Sequence, residues 1–315
     1  MSNHLIINAH ILTVDSAANE YPNGWVAIQD KRIVGVGSGE VPAEFKSFEI
    51  TNGEGALLTP GFINTHHHLY QWATRGIATE STLFDWLVEL YPIWGHIDAD
   101  ITFAAAQGAL ASLLLSGCTY TTDHHYLFPR EGGDCLEAEI KAAEKLGIRF
   151  HPTRGSMDLG RSQGGLPPDH VVEDRDEILR VSEEAVHRFH DASDEAMVKI
   201  GIAPCSPFSV TGELMKEAAT LARKLNVRLH THLAETLDEE EFLTTVIKSL
   251  LCLCDSKIEK NDKSIIASNI MYIVGEFHIF VEKHWSFLRV VLSKLFDFIL
   301  FNILDGRPVF NKSVS

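Results

Sequence analysis

Up to Leu58 apolar positions alternate with polar ones over short stretches: LIINAHILTV, then WVAIQDKRIVGVG broken at Gln29-Asp30-Lys31-Arg32, then FEITNGEGALLTP. Alternation punctuated by turn residues predicts strands joined as hairpins, and hence a small β module over residues 1–58. Beyond it, compact β-rich runs are separated by longer stretches of helical period. The strand candidates are GFINTH (61–66), CTYTTDH (118–124), IRFHPTR (148–154), VKIGIAPC (198–205) and VRLHTHLAE (227–235). Between them ADITFAAAQGALASLLLSG and LEAEIKAAEKLG predict helices, the second closing on Gly147 in the way helices commonly stop. Repeated strand and helix units build a parallel sheet, of which the (β/α)8-type barrel is the closed form. About five of its eight units are recognisable in residues 59–243, so the expected fold class is α/β, an incomplete barrel with a small N-terminal β-sandwich portion.

Charge places a further boundary. Residues 244–315 carry nine Lys+Arg against seven Asp+Glu, whereas residues 1–243 carry 18 against 36. The same tail holds two glycines, Gly275 and Gly306, and one alanine, Ala267, although the preceding chain is rich in both. Residues 244–315 therefore read as an atypical tail, helical or poorly ordered. Its apolar stretch 286–304 is interrupted by Arg289, Lys294 and Asp297, charges too costly for a lipid interior.

The formal charge of −16 over 315 residues repels polyanions and argues against nucleic acid or an anionic membrane as a partner. No basic leader precedes a long apolar block, and the five cysteines form no CxxC pair, so a cytoplasmic chain with reduced thiols is expected. A small neutral or cationic substrate suits this surface, with a homo-oligomer left open.

Polar side chains gather at the carboxyl ends of the predicted strands: His66 and His68, Asp123 and His124, Arg154, Cys205 and Ser206, His232 and Glu235. In a barrel, the loops that follow those ends converge around one opening. On a strand, His66 and His68 share a face and His67 points away, which makes a workable pair of metal ligands. A bare histidine run at a strand end has the same spelling. The segment His230 to Glu235 adds a third imidazole and a carboxylate able to take a proton from water and return it to a leaving nitrogen. The bland alternative makes Glu235 the solvated start of the acidic run Asp238 to Glu241, and His230 a supporting or core residue.

The stretches PGFINTHHHLYQ, APCSPFSV and LHTHLAE together resemble the amidohydrolase superfamily. The resemblance is to its cytosine deaminase-like branch, which contains 8-oxoguanine deaminase and the hydroxyatrazine aminohydrolases. It is strongest toward 8-oxoguanine deaminase, is supported by SGCTYTTDHHYLFP and GGLPPDHVVE, and covers residues 1 to about 243. It implies a barrel beside a β-sandwich built from both chain termini. It also implies one divalent metal ion, zinc before iron, on His66, His68 and His232, with Glu235 as proton shuttle. Binuclear relatives use a carboxylated lysine at the end of the fourth strand; IAPCSPFS has none, and Lys199 lies at the wrong end. The implied activity is hydrolytic deamination of an amino-substituted nitrogen heterocycle such as 8-oxoguanine, or of an aminated triazine.

Gln71, Arg154 and Cys205 are candidate substrate contacts; Gln71 and Cys205 have an equal claim as packing or loop residues, and Arg154 has the alternative of pairing with acidic neighbours. Trp72, Trp86 and Trp94 are candidates for the pocket wall or the core; His124 and His125 count as structural or supporting. The family pattern further requires a histidine on the sixth strand and an aspartate on the eighth, for which His278 and Asp305 are loose candidates outside the family's motifs. The residues after Leu243 are too few for three more units. A truncated, inactive fragment that keeps weak metal binding is therefore the competing expectation.

Overall fold

The structure is a computed structural model, and it describes residues 3–233, 235–239 and 241–243. The expectations for the tail 244–315, His278 and Asp305 included, lie outside the described residues.

Strands β1 (Asn3–Leu12), β2 (Glu20–Gln29) and β3 (Arg32–Ser38) form an antiparallel meander. Gln29 pairs with Arg32 across the predicted turn, with Asp30 at φ 54°, a left-handed conformation that aspartate tolerates. The hairpin expectation fails for the next segment. Strands β4 (Glu49–Asn52) and β5 (Leu57–Leu58) both run parallel to β1, because the chain between them continues alongside it, held by hydrogen bonds from Gly53 N–H to the Ile7 carbonyl and from Gly55 N–H to the Asn8 carbonyl. One five-stranded sheet results, in the order β3-β2-β1-β4 with β5 on β1. Leu5, Trp25, Ala27 and Phe48 pack together on it, while Ile33, Val34 and Ile50 remain exposed. Among the described residues this module is one sheet, and a second sandwich layer is not part of it.

The second sheet is wholly parallel. Its strands β6 (Phe62–Asn64), β7 (Cys118–His125), β8 (Arg149–Ser156) and β9 (Gly201–Pro204) lie side by side in chain order. Helices α1 (Leu83–Trp94) and α2 (Ala99–Leu115) precede β7, α3 (Cys135–Leu146) precedes β8, α4 (Arg175–Phe189) precedes β9, and α5 (Gly212–Leu225) follows it. Each starts where a side-chain oxygen can accept an otherwise unpaired backbone N–H: Asp98 for α2, Asp134 for α3 and Thr211 for α5. Helix α3 ends on Gly147 at φ 74°, as its sequence predicts.

Two predicted strands need correction. The first stops at Asn64, because the chain beyond it bends over the end of β7, where His124 N–H donates to the His67 carbonyl at 2.7 Å. The fifth, 227–235, makes only an isolated bridge between Leu229 and Ile202, and follows β9 through bonds from His230 N–H to Ile202 and from His232 N–H to Cys205.

Leu69, Ala106, Leu110, Ile140, Ile148 and Phe150 fill the layer between helices and sheet. Trp94 is fully buried, its Nε1–H satisfied by Thr74 Oγ1 at 3.0 Å, so it belongs to the core and not to a pocket wall. No helix among the described residues is long and apolar enough to cross a membrane.

Gly155 brings β8 against β7 so closely that an added methyl would overlap the His125 carbonyl oxygen, a backbone atom with nowhere to move. Gly155→Ala is therefore expected to destabilise the fold by at least about 2 kcal/mol, read from chemical denaturation midpoints. A shift within error would show that the two strands can separate at no cost.

Candidate metal centre and active site

Five imidazoles meet at the carboxyl end of the parallel sheet: His66, His68, His124, His230 and His232. Ring centroids are 4.8 Å apart for His66 and His68, 5.0 Å for His66 and His232, and 5.1 Å for His68 and His232. One nitrogen from each of these three lies within 4.8 Å of the other two. His66 and His68 sit in the loop after β6, not on the strand, so side-chain alternation along a strand is not what brings them together. The loop is held instead by the end of β7. His124 N–H donates to the His67 carbonyl at 2.7 Å, His68 Nδ1 meets the His124 carbonyl at 2.7 Å, and Leu69 N–H donates to Asp123 Oδ1 at 2.6 Å. His232 is held by Cys205 just beyond β9, its main-chain nitrogen at 2.9 Å and its Nδ1 at 2.7 Å from the Cys205 carbonyl.

These contacts settle the tautomers. A carbonyl oxygen can only accept, so Nδ1 of both His68 and His232 carries the proton, and both Nε2 atoms present lone pairs. The two Nε2 atoms are 3.1 Å apart. Neutral rings in those tautomers repel at that distance, so a proton or a cation has to lie between them. Burial disfavours the proton. It holds His68 well below the usual imidazole range, lowers His232, and brings His66 down to about 4 with the charge of His232 adding to the effect. Two nitrogens bound to one tetrahedral ion at about 2.0–2.1 Å each stand roughly 3.3 Å apart, close to what is observed. The donor set fits a divalent metal.

His66 Nδ1 pairs with His230 Nε2 at 3.1 Å. His124 is fully buried, stacks on His232 at 4.3 Å with an 8° interplanar angle, and has no hydrogen-bond partner on either ring nitrogen among the described residues. It also shares potential donor sets with His66 and His230, and with Cys205 and His232. Spacing alone places His124 and His230 as supporting residues; the available signal was the shared parity of His230 and His232, whereas nothing local reveals how the His124 ring stacks.

Glu235 is solvent-accessible, and partial burial together with the charge of Glu239 raises its carboxyl above the usual range. Its main-chain N–H donates to Glu239 Oε2 at 2.8 Å. The Cys205 thiol is pushed up to about 12, chiefly by burial, with Glu235 among the smaller contributors. Gln71 Nε2 lies 3.4 Å from the hydroxyls of Tyr70 and Tyr126. With His67, His68, Trp72 and Trp86 it lines a cavity of about 610 Å³. Arg154 pairs with an acidic neighbour, one of its two expected roles. Its guanidinium binds Glu173 at 2.6 and 3.1 Å and lies 3.5 Å over the Phe128 ring. Asp123, His125 and Glu139 form a second, fully buried group beneath the histidine loop.

Residues 57–284 match the Amidohydrolase family, and the chain belongs to that family. It is 46% identical over 222 residues to 8-oxoguanine deaminase of Pseudomonas aeruginosa, a match covering 70% of this chain and 49% of that protein. Identity to hydroxydechloroatrazine ethylaminohydrolase of Pseudomonas sp. strain ADP is 35% over 249 residues, covering 75% of this chain and 52% of the relative. Among solved structures, atrazine chlorohydrolase of Arthrobacter aurescens complexed with zinc aligns with a TM-score of 0.68 at 32% identity, over 75% of this chain and 54% of that one. The chain spans about half the length of the curated relatives it matches. The parallel sheet is thus part of an amidohydrolase barrel, joined to a strand-rich N-terminal module.

Burial pushes the Glu139 carboxyl up to about 8. A carboxyl raised in the folded state keeps its proton where the unfolded chain has lost it, so the stability it contributes is present at low pH and falls as pH rises from the ordinary carboxylate value toward about 8. Denaturation at about pH 5 and about pH 8 should therefore show a larger loss for the parent chain than for Glu139→Gln. Equal losses would place the proton elsewhere.

Proposed function

We propose that the chain forms the metal-binding part of a hydrolytic deaminase acting on an amino-substituted nitrogen heterocycle. His66, His68 and His232 hold one divalent ion, and Glu235 carries the proton. The observation that supports this most directly is the pair of Nε2 lone pairs facing each other at 3.1 Å in rings whose tautomers are locked by backbone carbonyls. Three imidazole donors favour zinc before iron, and a structural neighbour is described as complexed with zinc. The 46% identity to 8-oxoguanine deaminase puts an oxidised purine first, and an aminated triazine second.

When bound, the ion supplies a water activated for attack near neutral pH. Glu235 accepts a proton as that water adds to the ring carbon bearing the exocyclic nitrogen, and returns it to the nitrogen as the carbon–nitrogen bond breaks. Ammonia leaves, and the water oxygen remains on the ring as a hydroxyl whose proton moves to the adjacent ring nitrogen, giving the carbonyl form. Its raised carboxyl suits a group that must both take and give a proton. Gln71 borders the cavity beside His68 and supplies an amide to a heterocycle edge there. Cys205 acts through its carbonyl, by orienting His232, with its thiol kept neutral. Arg154 supports the structure through Glu173. The charge of −16 supports a small neutral or cationic substrate and argues against nucleic acid as a partner.

Metal analysis of the purified chain, with ammonia release from 8-oxoguanine, guanine and hydroxyatrazine, tests this. One ion per chain and ammonia from the oxidised purine are expected. His232→Ala should lose the ion, while Glu235→Gln should keep it and release ammonia about 10²–10⁴-fold more slowly. Retained metal in His232→Ala would refute the ligand assignment. Metal without ammonia would replace the deaminase by the inactive metal-binding fragment.

A further inference from the structure

The residues beneath the histidine loop have no part in the chemistry proposed above, yet they are arranged around its main chain. Asp123, His125 and Glu139 are each fully buried, the first two on β7 and the third on α3. His125 Nε2 donates to the Leu127 carbonyl at 2.7 Å, and its Nδ1 meets Glu139 Oε1 at 2.8 Å. Asp123 Oδ1 accepts the Leu69 N–H at 2.6 Å. Among the described residues the remaining oxygens, Asp123 Oδ2 and Glu139 Oε2, have no hydrogen-bond partner, while ligand atoms of Asp123, His125 and Glu139 all lie within 4.8 Å of one another. Two carboxylates cannot both stay ionised side by side in a dry interior, so burial raises both carboxyls, Asp123 further through the charge of Glu139. An ion is not needed here, because the 2.8 Å separation of His125 and Glu139 is that of a direct hydrogen bond and the other ring nitrogen is already used.

The result is a chain of contacts running from the Leu127 carbonyl through His125, Glu139 and Asp123 to the Leu69 N–H, the peptide immediately after His68. On the near side of His68, the His67 carbonyl is held by His124 N–H, and the His68 ring itself by the His124 carbonyl. Three successive residues of the loop are thus tied to two residues of β7. Two of the ties are main-chain bonds of the strand; the third depends on one side chain, and that side chain depends on α3.

We infer that Asp123 is a positioning residue for the metal centre, its carboxylate, braced by Glu139, fixing the peptide after His68 and through it the direction of the His68 Nε2 lone pair. The inference rests on the reading of His68 as a ligand. Partners of this kind, one step removed from the ion, typically change metal affinity about 10–100-fold when lost.

Cobalt(II) titration of the full chain, followed by its visible absorption, separates positioning from plain packing. Asp123→Asn keeps an oxygen acceptor for the Leu69 N–H and should bind cobalt within about threefold of the parent; Asp123→Ala should bind about tenfold more weakly or worse, with an altered band shape. Parent-like affinity in Asp123→Ala, or equal weakening in both variants, would overturn the inference while leaving the metal assignment standing. A parent chain that takes up no cobalt would instead remove the metal assignment, and the inference with it. Should circular dichroism show Asp123→Ala unfolded, Glu139→Ala takes its place, since it leaves the acceptor but removes its brace. Weakening of about tenfold is then expected, and unchanged affinity overturns the inference.

Discussion

Two imidazole lone pairs, pointed at each other across 3.1 Å by backbone carbonyls, set the conditions for everything around them. The carbonyls belong to His124 at the end of β7 and to Cys205 just beyond β9, two strands of one sheet with β8 between them. The distance between the nitrogens is therefore inherited from sheet register, in which His124 lies opposite Thr153 and Thr153 opposite Gly201. A parallel sheet is a stiff ruler, because each register step is enforced by a ladder of main-chain bonds and by side chains packed on both faces. Mounting the donors on loops tied to that ruler gives geometric precision without placing the donors on the strands themselves.

Burial supplies the second condition. An imidazole in water at neutral pH is partly protonated and then useless as a ligand, whereas His66 and His230 are both brought down to about 4 chiefly by desolvation. The same desolvation acts with opposite effect on carboxyls, raising Asp123 well above its ordinary range and Glu235 more mildly. One low-dielectric environment thus lowers the imidazoles and raises the carboxyls. It does so against fold stability, since polar groups such as both ring nitrogens of His124 are buried there without hydrogen-bond partners among the described residues.

Much of the architecture was legible from local chemistry. Helix α3 begins at Asp134 and stops at Gly147 because a capping carboxylate and a left-handed glycine are local requirements. The β2 to β3 turn at Asp30 and Lys31 is legible for the same reason. The direction of β4 and β5 was not, since a short strand chooses its neighbour by packing against a distant β1 and not by its own pattern. His66 and His68 illustrate a correct grouping reached by a different route: alternation on a strand suggests a shared face, while the actual agent is a loop pinned to β7.

By itself the sequence determined which donors exist, where along the chain they fall, and that strand and helix units would bring their ends to one rim. Residue identity and short-range spacing suffice for those, because propensity and capping act over a few residues. Only the tertiary structure decided which nitrogen of each imidazole is free, that Arg154 is committed to Glu173, that His124 stacks within the cluster, and that Asp123 reaches the peptide after His68. Each of these depends on an angle or a desolvated contact between residues far apart in the chain, and such quantities have no value until the strands are in register.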